Sequence, residues 1–248
     1  QGMYYFGNIE KNAQALSLTA PESFGTLKTG YDIVIGSFGA QFGLQAFGNF
    51  NPNTSFTVGA TFQPAATLKG DVTRFAKVEK GAIIDTVYSV VNEESRMSIP
   101  MEWSVGFSVR KRDKWMFGVD YSQSDWSKSN FSPTPGVNFE PALSRTLKAG
   151  LEFTPDRYSI RYFMRRWTYR LGAYYDKSYM RLNGQQVEAI GVTFGFSLPI
   201  YRWYNSVGVS IDAGQRGSIE NNLIRERYVM LILNFNLHDI WFLKHRYN

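Results

Sequence analysis

Apolar and polar residues alternate with a period of two along nearly the whole chain, and nothing else in the sequence constrains its fold as strongly. That period belongs to half-buried β-strands, whose successive side chains point to opposite faces; a helix repeats near 3.6 residues. From Ser55 to Pro64 the even positions Phe56, Val58, Ala60 and Phe62 are oily, while Ser55, Thr57, Gly59, Thr61 and Gln63 are not. Val34, Phe38, Phe42 and Leu44 oppose Ser37, Gly39, Gln41 and Gly43 in the same way, as do Trp103, Val105, Phe107 and Val109 against Ser104, Gly106 and Ser108. Further alternating segments run through Trp115 to Tyr121, Leu147 to Phe153, Trp167 to Tyr175, Ile190 to Leu198, Val207 to Ala213 and Val229 to Leu237. With a less regular strand near Tyr4 to Leu16, the count is ten. An even number of antiparallel strands suits a closed barrel.

The expected connections differ in length. Asn51-Pro52-Asn53, Lys111 to Lys114 and Tyr201 to Asn205 read as short turns, whereas 69–98, 127–142 and 214–226 read as long polar loops. Short turns on one rim and long loops on the other are the habit of outer-membrane barrels. No apolar run exceeds Val229 to Leu233, far short of the roughly 20 residues of a membrane-spanning helix. The chain begins at Gln1 without a charged and apolar leader, so an export signal is expected to lie outside it.

Alternation does not say which face meets water. Two features favour the oily face being the outer one, in contact with hydrocarbon. The polar phase is dominated by Gly, Ser and Thr, where a solvated face would carry many more Lys and Glu. Aromatic residues also gather at strand ends: Trp167 and Tyr175 lie eight residues apart on one face, about 20 Å of height in a tilted strand, close to the separation of barrel girdles. Tyr201, Trp203, Tyr204 and Trp241 would join the girdle on the short-turn side. The expected fold is therefore an all-β antiparallel transmembrane β-barrel, residues 1–248 forming one outer-membrane domain.

The chemistry available is narrow. There is no cysteine, and the two histidines, His238 and His245, fall in the last eleven residues. Thiolate chemistry is excluded and a His-based nucleophile system has little to work with. Acidic residues are spread singly over different strands, so no metal set is expected, no cofactor is implied, and catalysis is not expected. The net charge of +6 is scattered, with one dense group, Arg157, Arg161, Arg165, Arg166 and Arg170, set among Tyr, Phe and Trp. That pattern suits anionic headgroups or a protein partner at the membrane rim, and nucleic acid is not expected. On the polar phase fall Glu102, Arg110, Asp120, Lys148, Glu152, Arg170, Asp176 and Asp212. Pairing the strands from their loop ends sets Asp120 opposite Lys148 and Glu152 diagonal to Arg170. Such charges either neutralise one another and fill a narrow barrel, or line a polar path and orient a ligand carboxylate, with Lys148 and Arg170 the best placed for the second role.

Several short motifs carry a resemblance. Phe117-Gly118-Val119-Asp120-Tyr121 with Asp125-Trp126-Ser127, Gly191-Val192-Thr193-Phe194-Gly195, Gly214-Gln215-Arg216-Gly217 with Asn221-Asn222-Leu223-Ile224, and Asp239-Ile240-Trp241-Phe242 with Lys244, Arg246 and Tyr247 resemble the C-terminal region of Gram-negative FadL/TodX-like outer-membrane transport proteins. The resemblance implies a fourteen-stranded barrel of which about ten strands are visible, its N-terminal strands and hatch lying outside this sequence. It also implies uptake of hydrophobic compounds such as long-chain fatty acids, with outer-membrane lipid and lipopolysaccharide as surroundings. Two other functions fit the residues: a non-transporting accessory or structural barrel subunit, bound to other outer-membrane or periplasmic proteins, and a soluble secreted carbohydrate-binding β-sandwich.

Overall fold

A computed structural model of the chain describes residues 1–15, 26–80, 83–129, 139–200 and 205–237. Fourteen strands follow one another: β1 (Gly2–Ala15), β2 (Thr26–Ala40), β3 (Phe42–Asn51), β4 (Thr54–Gln63), β5 (Ala66–Lys80), β6 (Ile83–Ile99), β7 (Glu102–Lys111), β8 (Trp115–Asp125), β9 (Phe139–Pro141), β10 (Leu143–Phe153), β11 (Thr168–Leu182), β12 (Gln185–Pro199), β13 (Ser206–Arg216) and β14 (Glu226–Asn236). All pairings whose register is defined are antiparallel. The ten alternating segments are all strands. Several run on through brief interruptions, β2 into β3 at Gln41, β4 into β5 at Pro64-Ala65, and β6 into β7 at Pro100-Met101, two of them at a proline that cannot donate to a ladder.

Two expectations need correction. The stretch 69–98 is not a long loop. It is the body of β5 and β6, paired from Ala66↔Ile99 to Lys80↔Ile83. In β5 the oily phase of Leu68, Val72, Ala76 and Val78 is interrupted by Arg74 and in β6 charges stand on both phases, so the pair reads as a charged stretch, although a backbone ladder with two register shifts runs along it. The described strands also do not form one closed ring. They make a four-stranded sheet ordered β1-β2-β5-β6 and a ten-stranded sheet ordered β14-β13-β12-β11-β10-β8-β7-β4-β3, with β9 added beside β11. Alternation sets the face of each side chain and leaves open which strand pairs with which.

The chain divides into two compact units. The first comprises Gln1–Phe42, Phe62–Glu102 and Asp125–Ser132, and the second Gly43–Thr61, Trp103–Ser124 and Pro133–Asn248. In the first, Lys28 pairs with Glu79 at 2.5 Å, and Asp125 accepts from the Ser127 hydroxyl at 2.6 Å and from its amide at 3.2 Å.

In the second unit the hydrogen-bond register lines side chains up in rows. Leu151 faces Leu171, Leu171 faces Phe194, Phe194 faces Ile211 and Ile211 faces Leu231, one residue from each of β10 to β14. These five are 37%, 56%, 51%, 46% and 65% exposed. Gly195, on the opposite phase, is buried. Among the described residues only Ala66, Leu68 and Ala142 are buried apolar side chains. A water-soluble sandwich hides its oily face in a core; this sheet leaves it exposed.

The β11–β12 hairpin closes through Asn183 and Gly184, whose φ values of 49° and 80° fit the two-residue turn that matches strand twist. Gly184→Val is expected to lower folding stability by about 1–2 kcal/mol, because an L side chain is strained in the left-handed region. A urea midpoint equal to that of the parent protein would contradict this.

Candidate functional site

The polar phase of the second unit is where the candidate residues gather. Arg170 on β11 lies directly opposite Glu152 on β10, not diagonal to it. Its Nε donates to Glu152 Oε2 at 2.9 Å, and its Nη1 donates to Ser197 Oγ at 2.5 Å on β12. One guanidinium thus ties three strands, as a planar fork of donors allows. Further along, Asp176 accepts from Thr146 at 2.6 Å, and Lys177 pairs with Glu188 at 3.0 Å.

A second cluster contains residues that the search for charges missed. Lys148, Tyr174, Gly191, Gly214 and Tyr228 form one cross-strand row. The two tyrosine rings lie over the two glycines, where a Cβ would collide with them. Their hydroxyls hydrogen-bond each other, and Tyr174 also donates to Asp212 Oδ1 at 3.1 Å. The signal in the sequence was tyrosine on the polar phase of one strand with glycine on the polar phase of the next. Glu102, Asp120 and Lys148 make no ion pair or side-chain hydrogen bond among the described residues. The expected Asp120–Lys148 pair is therefore absent; the Asp120 carboxylate instead lies over Gly106 of β7.

At the short-turn end of this unit the polar phase opens into a cavity of about 360 Å³. Its walls carry Arg110, Arg112, Lys114, Arg157, Arg166 and Arg170 against two acids, Asp113 and Glu152. Arg110 donates to the Met116 sulfur at 3.2 Å, and Arg112 to the Asn53 side-chain oxygen at 2.8 Å. Neither acceptor is charged. The connection from Pro155 to Trp167 is ordered by its own bonds, Asp156 N to Arg165 O at 2.8 Å, Tyr158 N to Asp156 Oδ1 at 3.1 Å and Arg165 N to Tyr162 O at 3.2 Å. It exposes Tyr158, Ile160, Tyr162, Phe163 and Met164 between its arginines. Arg161 and Arg165 lie over the Tyr162 ring, and Arg166 over Phe163.

On the apolar phase of the same rim stand close aromatic pairs. Phe50 meets Phe56 at 4.6 Å, Trp115 meets Phe153 at 4.3 Å and Trp167 meets Phe196 at 5.4 Å between ring centroids. Tyr201, Trp203, Tyr204 and Trp241 lie outside the described residues.

A match to the BamG family spans residues 1–248. The chain belongs to the BamG family. No curated protein matches this BamG-family chain. Among solved structures, the crystal structure of the Ralstonia pickettii toluene transporter TbuX is similar to it at 15% identity and a TM-score of 0.40, covering 92% of this chain and 55% of that one. The BamG-family chain thus spans about half the length of that transporter. Where FadL/TodX-like membership was expected, the family shown is BamG, with a distant structural similarity to that toluene transporter.

Proposed function

We propose that this BamG-family chain is a non-transporting structural or accessory barrel subunit of a larger outer-membrane assembly, working without chemical catalysis. Family membership supports an association with the outer-membrane BAM complex. The observation that carries the reading is the combination of faces in the second unit. The apolar rows face outward, as a wall in lipid requires, while the opposite face is occupied by side chains bonded to one another across strands. A hydrophobic substrate crossing that face would have to displace charged and hydroxyl groups already satisfied, at a cost of about 1–3 kcal/mol for each one left unpaired. The rim adds close aromatic pairs and an ordered arginine-rich connection, the kind of surface on which neighbours dock.

Uptake of hydrophobic compounds is the second reading. It is favoured by an apolar depression in the first unit, lined by Tyr4, Phe6, Ile35 and Leu68. The two are separated by purifying the protein from native outer membranes after crosslinking and, in parallel, by reconstituting it alone in vesicles. The subunit reading expects a stoichiometric outer-membrane partner and background permeability to a long-chain fatty acid. A protein that is recovered alone and carries the fatty acid across the vesicle wall sinks it.

A further inference from the structure

We propose that the basic cavity at the short-turn end of the second unit binds a carboxylate-rich, acidic segment of a partner protein. The proposal rests on the subunit reading for the identity of its ligand, and on geometry for its existence. Six cations face two acids around one cavity. Among the described residues Glu152 pairs with Arg170 across strands, and Asp113 accepts from the Tyr158 hydroxyl at 3.3 Å. Arg110 and Arg112 each give one donor to an uncharged group, a thioether and an amide oxygen, and Lys114 and Arg157 take part in no ion pair among the described residues. A concave site with an excess of positive charge attracts anions over distances near the Debye length.

The choice among anions follows from how the charges are spread. They come from the end of β7, the β7–β8 turn, the 154–167 connection and β11. A segment carrying several carboxylates meets more of them than one compact phosphate does. The Arg170–Glu152 contact already shows a guanidinium of this cavity holding a carboxylate. A lipid headgroup fits less well. The wall continues through Thr154, Thr168, Ser197 and Ser206, all on the polar phase, and the apolar rows that would receive acyl chains lie on the other face of the sheet.

The test uses the full chain in phosphatidylcholine nanodiscs and a fluorescent hexaglutamate peptide followed by anisotropy. The parent protein is expected to bind at about 50 mM salt and to release the peptide at about 500 mM. The double variant Arg112→Ser/Arg157→Ser is expected to bind at least about tenfold more weakly. Arg161→Ser/Arg165→Ser removes the same charge from the same rim without touching the cavity, and is expected to change affinity less than about twofold. All four positions are exposed, on a turn or the connection, so folding is retained. The proposal is overturned if the parent does not bind, if both double variants lose affinity equally, if pyrophosphate displaces the probe at lower concentration than unlabelled hexaglutamate, or if phosphatidylglycerol in the disc abolishes binding. Peptide binding with this pattern in a protein that has no native partner overturns the subunit reading and leaves the site standing. A stoichiometric partner without peptide binding does the reverse.

Discussion

Phe194→Arg in a lipid bilayer is expected to lower folding stability by about 2–4 kcal/mol, while Thr193→Arg, one residue earlier on the same strand, is expected to cost less than about 1 kcal/mol. The contrast follows from phase. Phe194 stands at the centre of the row Leu151, Leu171, Phe194, Ile211 and Leu231, with both its cross-strand neighbours apolar and half-exposed. A guanidinium there has only hydrocarbon around it, and its charge must be carried to the interface or left unsolvated. Thr193 faces Gly172 and Asp212 on the polar phase, where a cation finds an acid within one residue of register. Urea titrations of the two variants refolded into vesicles, with heat-dependent gel mobility as a second readout, measure the difference. Equal stabilities would mean that the oily rows are not facing lipid, and the membrane reading would go with them.

Gly191→Val is expected to cost about 1–3 kcal/mol, as overpacked sites do, whereas Gly150→Val is expected to fall within about 0.5 kcal/mol of the parent. Both glycines are on polar phases, Gly150 on β10 and Gly191 on β12 with β11 between them, so propensity alone predicts the same small gain for each. Their surroundings separate them. A Cβ on Gly191 runs into the Tyr174 ring, which cannot swing aside without releasing Asp212 and the Tyr228 hydroxyl. A Cβ on Gly150 meets nothing closer than the Leu171 carbonyl oxygen at 3.9 Å. Equal midpoints for the two variants would show that the ring is free to leave, and that the tyrosine–glycine row is not a structural tie. Asp212→Ala provides an independent check, since freeing the ring beforehand should reduce the cost of Gly191→Val in the double variant.

The sequence alone decided a good deal. Period-two alternation is a local property, written into each strand separately, so it revealed the class, the ten ribbons, the phase of each side chain and the Gly/Ser/Thr character of the polar face. The lack of cysteine and the scarcity of histidine narrowed the chemistry without any fold. Where charges are dense, as along β5 and β6, the signal was weakened by Arg74 on the oily phase of β5 and by charges on both phases of β6, and a strand pair read as a loop.

What only the tertiary structure decided is everything that depends on pairing. The Glu152–Arg170 contact shifted from diagonal to direct, because a two-residue slip in register keeps the face and changes the partner, and the Asp120 carboxylate lies over Gly106 of β7 instead of meeting Lys148. The tyrosine–glycine row needs four strands in register before it exists at all. The basic cavity assembles Arg112 and Lys114 from one turn with Arg157 and Arg166 from a connection more than forty residues later. Which face a side chain takes is settled by its own strand; which side chains it meets is settled by hydrogen bonds between strands that can lie far apart in the chain, and no local pattern encodes those.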